Sequence, residues 1–143
     1  MKQQRFTFLL TMLFSLMGTM TFAHDIEINN GDGVIIYYVW TNNETELAVS
    51  YQGNSGFSGG YYKGNVEIPQ LVTYEGKTYK VTEIGTDAFS FNSDLTSVTI
   101  PNTVKSIGTY AFQYCFGLTS INIPNSVTSL ERSSFNSCKS LTT

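Results

Sequence analysis

Leu95-Thr96-Ser97-Val98-Thr99-Ile100-Pro101 returns 23 residues later as Leu118-Thr119-Ser120-Ile121-Asn122-Ile123-Pro124. The same step carries Ala88-Phe89 to Ala111-Phe112 and on to Ser134-Phe135. It carries Val81 to Val104 and Val127, Ile84 to Ile107 and Leu130, and Leu118 to Leu141. An upstream half-copy, Val66-Glu67-Ile68-Pro69, joins the series once a nine-residue insertion is allowed. That insertion contains Tyr74-Glu75-Gly76-Lys77-Thr78-Tyr79, the pattern of a small hairpin built on Glu-Gly. So many columns agreeing at one offset are an internal repeat, and a short period with apolar columns means a stacked solenoid.

Within each copy, Leu-x-x-Val-x-Ile ends in alternating β-branched residues. This predicts a short strand with Val98 and Ile100 pointing inward. Pro101 and Pro124 follow, where they stop the strand and turn the chain. Each coil returns through Val104 and Ile107, and Gly108 with Ala111 allows a tight turn under Phe112. Successive strands then pair in parallel, because each coil ends where the next begins. The stack is expected to bury columns of like residues, Phe89 on Phe112 on Phe135 and Ile84 on Ile107 on Leu130. Each fully buried member is worth about 1.5–3 kcal/mol.

The motif Ala-Phe-x-x-Cys-x-x-Leu-Thr-Ser-x-x-Ile-Pro-x-x-Val-x-x-Ile/Leu resembles the BspA-like class of leucine-rich repeat, the Bacteroides surface-antigen type. The resemblance runs from about Val66 to Thr143, a little over half of the chain left after residues 1–23. It implies a secreted or surface-attached protein engaged in adhesion or protein binding. The expected fold is a β-rich solenoid: a short right-handed leucine-rich-repeat stack with parallel strands, preceded by an N-terminal β-hairpin cap. The last copy departs from the pattern, with Ser134 in place of Ala and Glu131-Arg132 in place of the Gly-containing turn. Its strand begins at Leu141-Thr142-Thr143 and is incomplete.

Ahead of the repeats, Lys2 and Arg5 precede an apolar run from Phe6 to Met20, and Thr21-Phe22-Ala23 offers small residues for cleavage. This is the pattern of a secretory signal peptide over residues 1–23, so export to the surface or medium is expected. The run is too short and interrupted for a membrane span, and none follows it. Residues 24–65 then form the cap and a Gly/aromatic loop, and 66–143 the repeats. Val34-Ile35-Ile36-Tyr37-Tyr38-Val39-Trp40 and Leu47-Ala48-Val49-Ser50-Tyr51 read as two strands of a hairpin around Asn42-Asn43-Glu44-Thr45. A solenoid needs such an end structure to hide the core of its first coil.

Composition narrows the chemistry. Without Lys2 and Arg5, six of the 8 basic residues remain against 11 acidic ones, a net charge of −5. No basic face exists to neutralise phosphates, so nucleic acid is not an expected partner. The lone histidine, His24, reads as a frayed terminus, and no second imidazole is available to join it on copper. Asp25 to Ile36 has Asn30 where a calcium loop requires Gly and Ile36 where it requires Glu, so it is rejected as an EF-hand. Serines lack a histidine base, and Glu83 with Asp87 reads as a solvated turn pair rather than a glycosidase dyad. No cofactor is implied, and the chain is not expected to be an enzyme.

Cys115 and Cys138 lie one period apart, in the column that Asn92 begins. One strand spacing is short enough for a disulfide, and export permits one. A column of Asn or Cys that fills the inner turn instead predicts buried, reduced thiols.

The outward positions Thr96, Ser97 and Thr99, then Thr119, Ser120 and Asn122, form a hydroxyl-rich, uncharged strip. In solenoids function resides on such faces, because the inward positions are used in packing. The partner expected there is a protein, of a host or a neighbouring cell surface. A second reading places glycan binding on the loop aromatics Phe57, Tyr61 and Tyr62. A third is structural: the open last coil pairs with another chain, by self-association or as a fragment of a longer repeat protein.

Overall fold

The computed structural model describes residues 24–31, 33–41, 44–52 and 61–142, so residues 1–23, where a signal peptide is expected, and most of the Gly/aromatic loop lie outside the described residues. All regular structure among these residues is strand. The strands are β1 (Ile26–Asn29), β2 (Ile35–Trp40), β3 (Glu46–Ser50), β4 (Gly64–Glu67), β5 (Leu71–Tyr74) and β6 (Lys77–Ile84). β7 (Leu95–Thr99), β8 (Ser106–Ile107), β9 (Ser120–Asn122) and β10 (Ser129–Leu130) follow.

Each coil crosses the core twice. The three strands that carry the Val-x-Ile pattern pair in parallel in the order β4-β7-β9. Their register sets Val66 beside Val98 and Val98 beside Ile121. Val66, Val98 and Ile100 are buried, as alternation requires of residues that share one face. After the proline, the chain returns along a second sheet, where β6, β8 and β10 pair in parallel and align Ile84, Ile107 and Leu130. The half-copy at Val66 is therefore a genuine coil. The insertion forms the expected hairpin of β5 and β6, with Glu75 and Gly76 both at positive φ as a two-residue hairpin turn requires.

A third side closes each coil through a compact arc at Ala-Phe. Phe112 lies between Phe89 at 5.1 Å and Phe135 at 5.0 Å, with the ring planes within 3° of parallel. On this side the backbone N–H groups of Asp87, Phe89 and Phe91 donate to the carbonyls of Thr109, Ala111 and Gln113 in the next coil. Tyr110, Phe112 and Tyr114 repeat the pattern onto Arg132, Ser134 and Asn136. Six non-glycine residues of the arcs hold positive φ at the same 23-residue spacing: Asp87, Tyr110 and Ser133, and Phe91, Tyr114 and Ser137. At the corner before the arc, a Cβ on Gly108 would meet the backbone of Thr86 and Gly85 at 2.7 and 2.8 Å. Glycine is needed there because neighbouring coils approach backbone to backbone.

The N-terminal segment extends this architecture. β2 and β3 form the expected antiparallel hairpin, but β3 also pairs in parallel with β6 and so joins the second sheet. Leu47 and Val49 stand in register with Val81 and Ile84, and Gly85 donates to the Val49 carbonyl as Gly108 does to that of Ile84. β3 thus occupies the place of an earlier coil. β1, absent from the sequence reading, adds an outer antiparallel strand to β2, and its Ile26 is buried.

Three expectations need correction. His24 is tucked in rather than frayed: its ring lies 4.7 Å from that of Tyr37 and its Nε2 is 2.9 Å from Glu27 Oε1. Tyr62 is 1% exposed and belongs to the core. Leu130 and Ile123, in columns expected to be buried, are 56% and 40% exposed, because no later coil among the described residues covers them.

Candidate recognition surface

On the β4-β7-β9 sheet the outward side chains fall into two columns. Asn65, Ser97 and Ser120 stand in one, Glu67, Thr99 and Asn122 in the other. Ser97 is half-buried and the other five are exposed. Ser97 Oγ lies 2.7 Å from Asn65 Oδ1 and ties the first column together. Thr96 and Thr119 lie beside these columns, both exposed, and the Thr119 hydroxyl donates to the Thr96 carbonyl at 3.2 Å. Thr142 repeats that bond to Thr119 at 3.4 Å, so this threonine row serves the stacking of the coils. Thr99, Ser120 and Asn122 make no side-chain hydrogen bond to described residues, which leaves their polar groups facing solvent.

The structure brings all six sequence-derived residues, Thr96, Ser97, Thr99, Thr119, Ser120 and Asn122, onto one surface. It adds two that the reading missed. Asn65 and Glu67 flank Val66 in the half-copy, and the same alternation that marks Ser97 and Thr99 marks them as outward. With Glu67 opposite Thr99, the strip carries a carboxylate and is not uncharged. The Glu67 carbonyl also accepts from Asn30 Nδ2 at 3.2 Å, which links the β1–β2 turn to this sheet.

The loop aromatics separate. Phe57 lies outside the described residues, Tyr61 is 49% exposed, and Tyr62 is removed from any surface role by its burial. The Tyr62 hydroxyl donates to the Ser50 carbonyl at 3.0 Å and accepts the Tyr37 N–H at 3.1 Å. Its own N–H donates to Asn92 Oδ1 at 2.8 Å. A further aromatic row lies on the arcs, where Tyr114 stands 4.8 Å from Phe91 and 5.9 Å from Phe116. Lys139 sits 5.6 Å over the Phe116 ring. The 23-residue step from Phe91 to Tyr114 was the signal for it.

Cys115 and Cys138 are free thiols. Cys115 Sγ donates to the Phe89 carbonyl at 2.9 Å and Cys138 Sγ to that of Phe112 at 3.0 Å. Each thiol satisfies a carbonyl of the preceding coil, the work of a column that fills an inner turn. Burial pushes the Cys115 thiol up to about 12, with the neighbouring Cys138 adding to the rise. Of the carboxylates set aside as a dyad, Glu83 is exposed in β6. Asp87 is half-buried, and that burial raises its carboxyl while a bond from Ser90 lowers it.

Comparison with known proteins follows the same lines. Residues 65–143 match the family described as "BspA type Leucine rich repeat region (6 copies)". A leucine-rich repeat protein from Bacteroides ovatus is 33% identical, with a TM-score of 0.69 over 84% of this chain and 29% of its own. A second, from Bacteroides capillosus, is 27% identical, with a TM-score of 0.64 over 82% of this chain and 79% of that one. A leucine rich cell surface protein from Faecalibacterium prausnitzii is 27% identical, with a TM-score of 0.62 over 82% of this chain and 30% of its own. No curated protein matches in sequence. The chain thus spans less than a third of the Bacteroides ovatus and Faecalibacterium prausnitzii proteins. With its repeats, its parallel sheets and its ring stack all of one pattern, the chain belongs to the BspA-type leucine-rich repeat family.

Proposed function

We propose that this chain is an exported, non-catalytic repeat module that recognises a protein at a cell surface through the β4-β7-β9 sheet. The observation that carries the reading is the register of the three strands. It lines up Asn65, Ser97 and Ser120, and Glu67, Thr99 and Asn122, as outward columns of short polar side chains. Such a face offers hydrogen-bonding groups on a rigid support, and little side-chain entropy is lost when it is covered. The surface location of the Faecalibacterium prausnitzii relative and the leader at residues 1–23 support export. The partner would be a protein of a host or a neighbouring cell.

The test is capture from matrix and cell-surface extract by the chain and by its Thr99→Lys, Asn122→Lys double variant. Both positions are exposed, so the double variant should keep its stability within about 0.5 kcal/mol per site. A protein retained by the parent and lost by the variant locates the site. Identical capture by both removes this sheet from recognition. Mass in solution is measured alongside, because exposed Ile123 and Leu130 on the last coil would pair copies end to end.

A further inference from the structure

Away from the strip, a cleft of about 310 Å³ opens where the β1–β2 turn meets the chain leading into β4. It is lined by Gly33, Val34, Ile35, Tyr37, Tyr61 and Lys63. The volume falls at the lower end of the roughly 300–1,000 Å³ that small-molecule pockets occupy, which is room for one ring rather than a chain. One wall is rigid. Tyr37 lies edge-on to Tyr62 at 6.1 Å, its N–H is held by the Tyr62 hydroxyl, and the His24 ring packs against it at 4.7 Å. The other wall is Tyr61, 49% exposed, and the apolar rim is Ile35, 43% exposed. Gly33 contributes bare backbone, with open space where a Cβ would stand.

Among the described residues, Lys63 is the one charged member of the lining. Its ammonium is held loosely, 4.0 Å from Asp94, with both side chains 66% exposed. Burial, the Glu27 carboxylate and Tyr61 all raise the Tyr37 phenol above its ordinary value, so it stays protonated and can donate. Two phenols, one aromatic face open to solvent and one cation match a small ring that has an apolar face, hydroxyls and a negative charge. The C–H face of a pyranose packs on an aromatic ring, and its hydroxyls need hydrogen-bonding groups to replace lost water.

We propose that this cleft binds a single acidic sugar, a pyranose bearing a carboxylate, with its ring on Tyr61 and its carboxylate on Lys63. The site is independent of the sheet strip and stands or falls without it. Asp94 competes with the ligand for the ammonium. Because the pair is exposed, the charge selects rather than drives binding. An exposed ion pair is worth up to about 1 kcal/mol, which is about a fivefold preference for the carboxylated sugar over its neutral counterpart.

The experiment titrates the chain with glucuronate, glucose and benzoate while backbone amide resonances are followed by NMR. Saturable shifts at Ile35, Tyr61 and Lys63 are expected with both sugars, about fivefold tighter for glucuronate. Lys63→Gln should bring glucuronate down to the affinity of glucose. Asp94→Asn, which frees the ammonium, should tighten glucuronate and leave glucose unchanged. Tyr61→Ala should weaken both sugars at least about tenfold, a loss of about 1.4 kcal/mol. The proposal is overturned if neither sugar shifts these residues, if glucuronate and glucose bind alike, or if benzoate binds as well as glucuronate. It is also overturned if Asp94→Asn leaves glucuronate unchanged. Lys63, Asp94 and Tyr61 are exposed, and an unchanged spectrum elsewhere shows that each variant is folded.

Discussion

The ring of Tyr62 lies 4.6 Å from that of Phe89 and so heads the row continued by Phe112 and Phe135. Through its hydroxyl the same residue joins β2 to the end of β3. Tyr62→Ala is therefore expected to cost about 3–5 kcal/mol, as removal of a buried aromatic ring does. Tyr62→Phe keeps the ring but removes the two hydrogen bonds of the hydroxyl, with the Tyr37 N–H and the Ser50 carbonyl, at about 1–3 kcal/mol. Urea unfolding of the two variants separates the ring from the hydroxyl.

Phe112 has a ring on each side and no exposure, whereas Phe135 is only half-buried. Phe112→Ala should lose about 3–5 kcal/mol through the cavity it leaves. Phe135→Ala should lose no more than about 3 kcal/mol, since less surface is withdrawn from water. Equal losses would mean that the row does not act as a stack.

At Gly108 a single methyl group is predicted to be costly. The atoms that it would meet are backbone of Thr86 and Gly85, which cannot move aside as a side-chain tip can. Gly108→Ala should destabilise by about 1–3 kcal/mol, read from the shift in urea midpoint at constant slope.

The buried thiol makes stability fall in alkali. Cys115 holds its proton more tightly when folded than when unfolded, so its contribution is full below the ordinary thiol value of 9.0. That contribution is lost as pH rises towards about 12. Tyr38 and Tyr62, both raised by burial, act with the same sign above 10.0. The urea midpoint should be level from pH 7 to about 9 and then decline, with a shallower decline in Cys115→Ala. Without reductant, iodoacetamide should label Cys138 before Cys115 in the folded protein and both in urea.

The Tyr38 hydroxyl is buried with no hydrogen-bond partner among the described residues. Removing it relieves a desolvation cost and breaks no bond, so Tyr38→Phe should leave stability unchanged or raise it by about 1–3 kcal/mol. A loss in thermal or urea unfolding would show that the hydroxyl is satisfied in solution.

What was legible in the sequence followed from periodicity. One offset sufficed to pair Val98 with Ile121, to stack Phe89 on Phe112 and to set Thr99 beside Asn122, because stacking turns a sequence interval into a spatial contact. β3 carries no copy of the motif, so its place in the second sheet had no signal at that offset. It follows from a parallel pairing with a register shift between Leu47 and Ala48. Tyr62 was misread for a related reason. It adjoins a Gly-rich loop, and local composition marks it as surface, but the open face of Phe89 needs an aromatic cover. The cleft at Tyr61 and Lys63 sets the start of β2 beside the chain leading into β4, a contact ahead of the repeats that no shared motif announces.

The positive-φ residues of the arcs bear on how the chain reaches this structure. A non-glycine residue in that region costs roughly 1–2 kcal/mol, and each arc holds two of them. Within a single coil only the arc's own turn bonds, such as Ser90 N–H to the Asp87 carbonyl, oppose the cost. The ladder of bonds between arcs, such as Phe89 N–H to the Ala111 carbonyl, exists only once the following coil is in place. A lone coil is therefore not a folding unit, and the first stable nucleus must span at least two adjacent arcs together with the columns that they enclose.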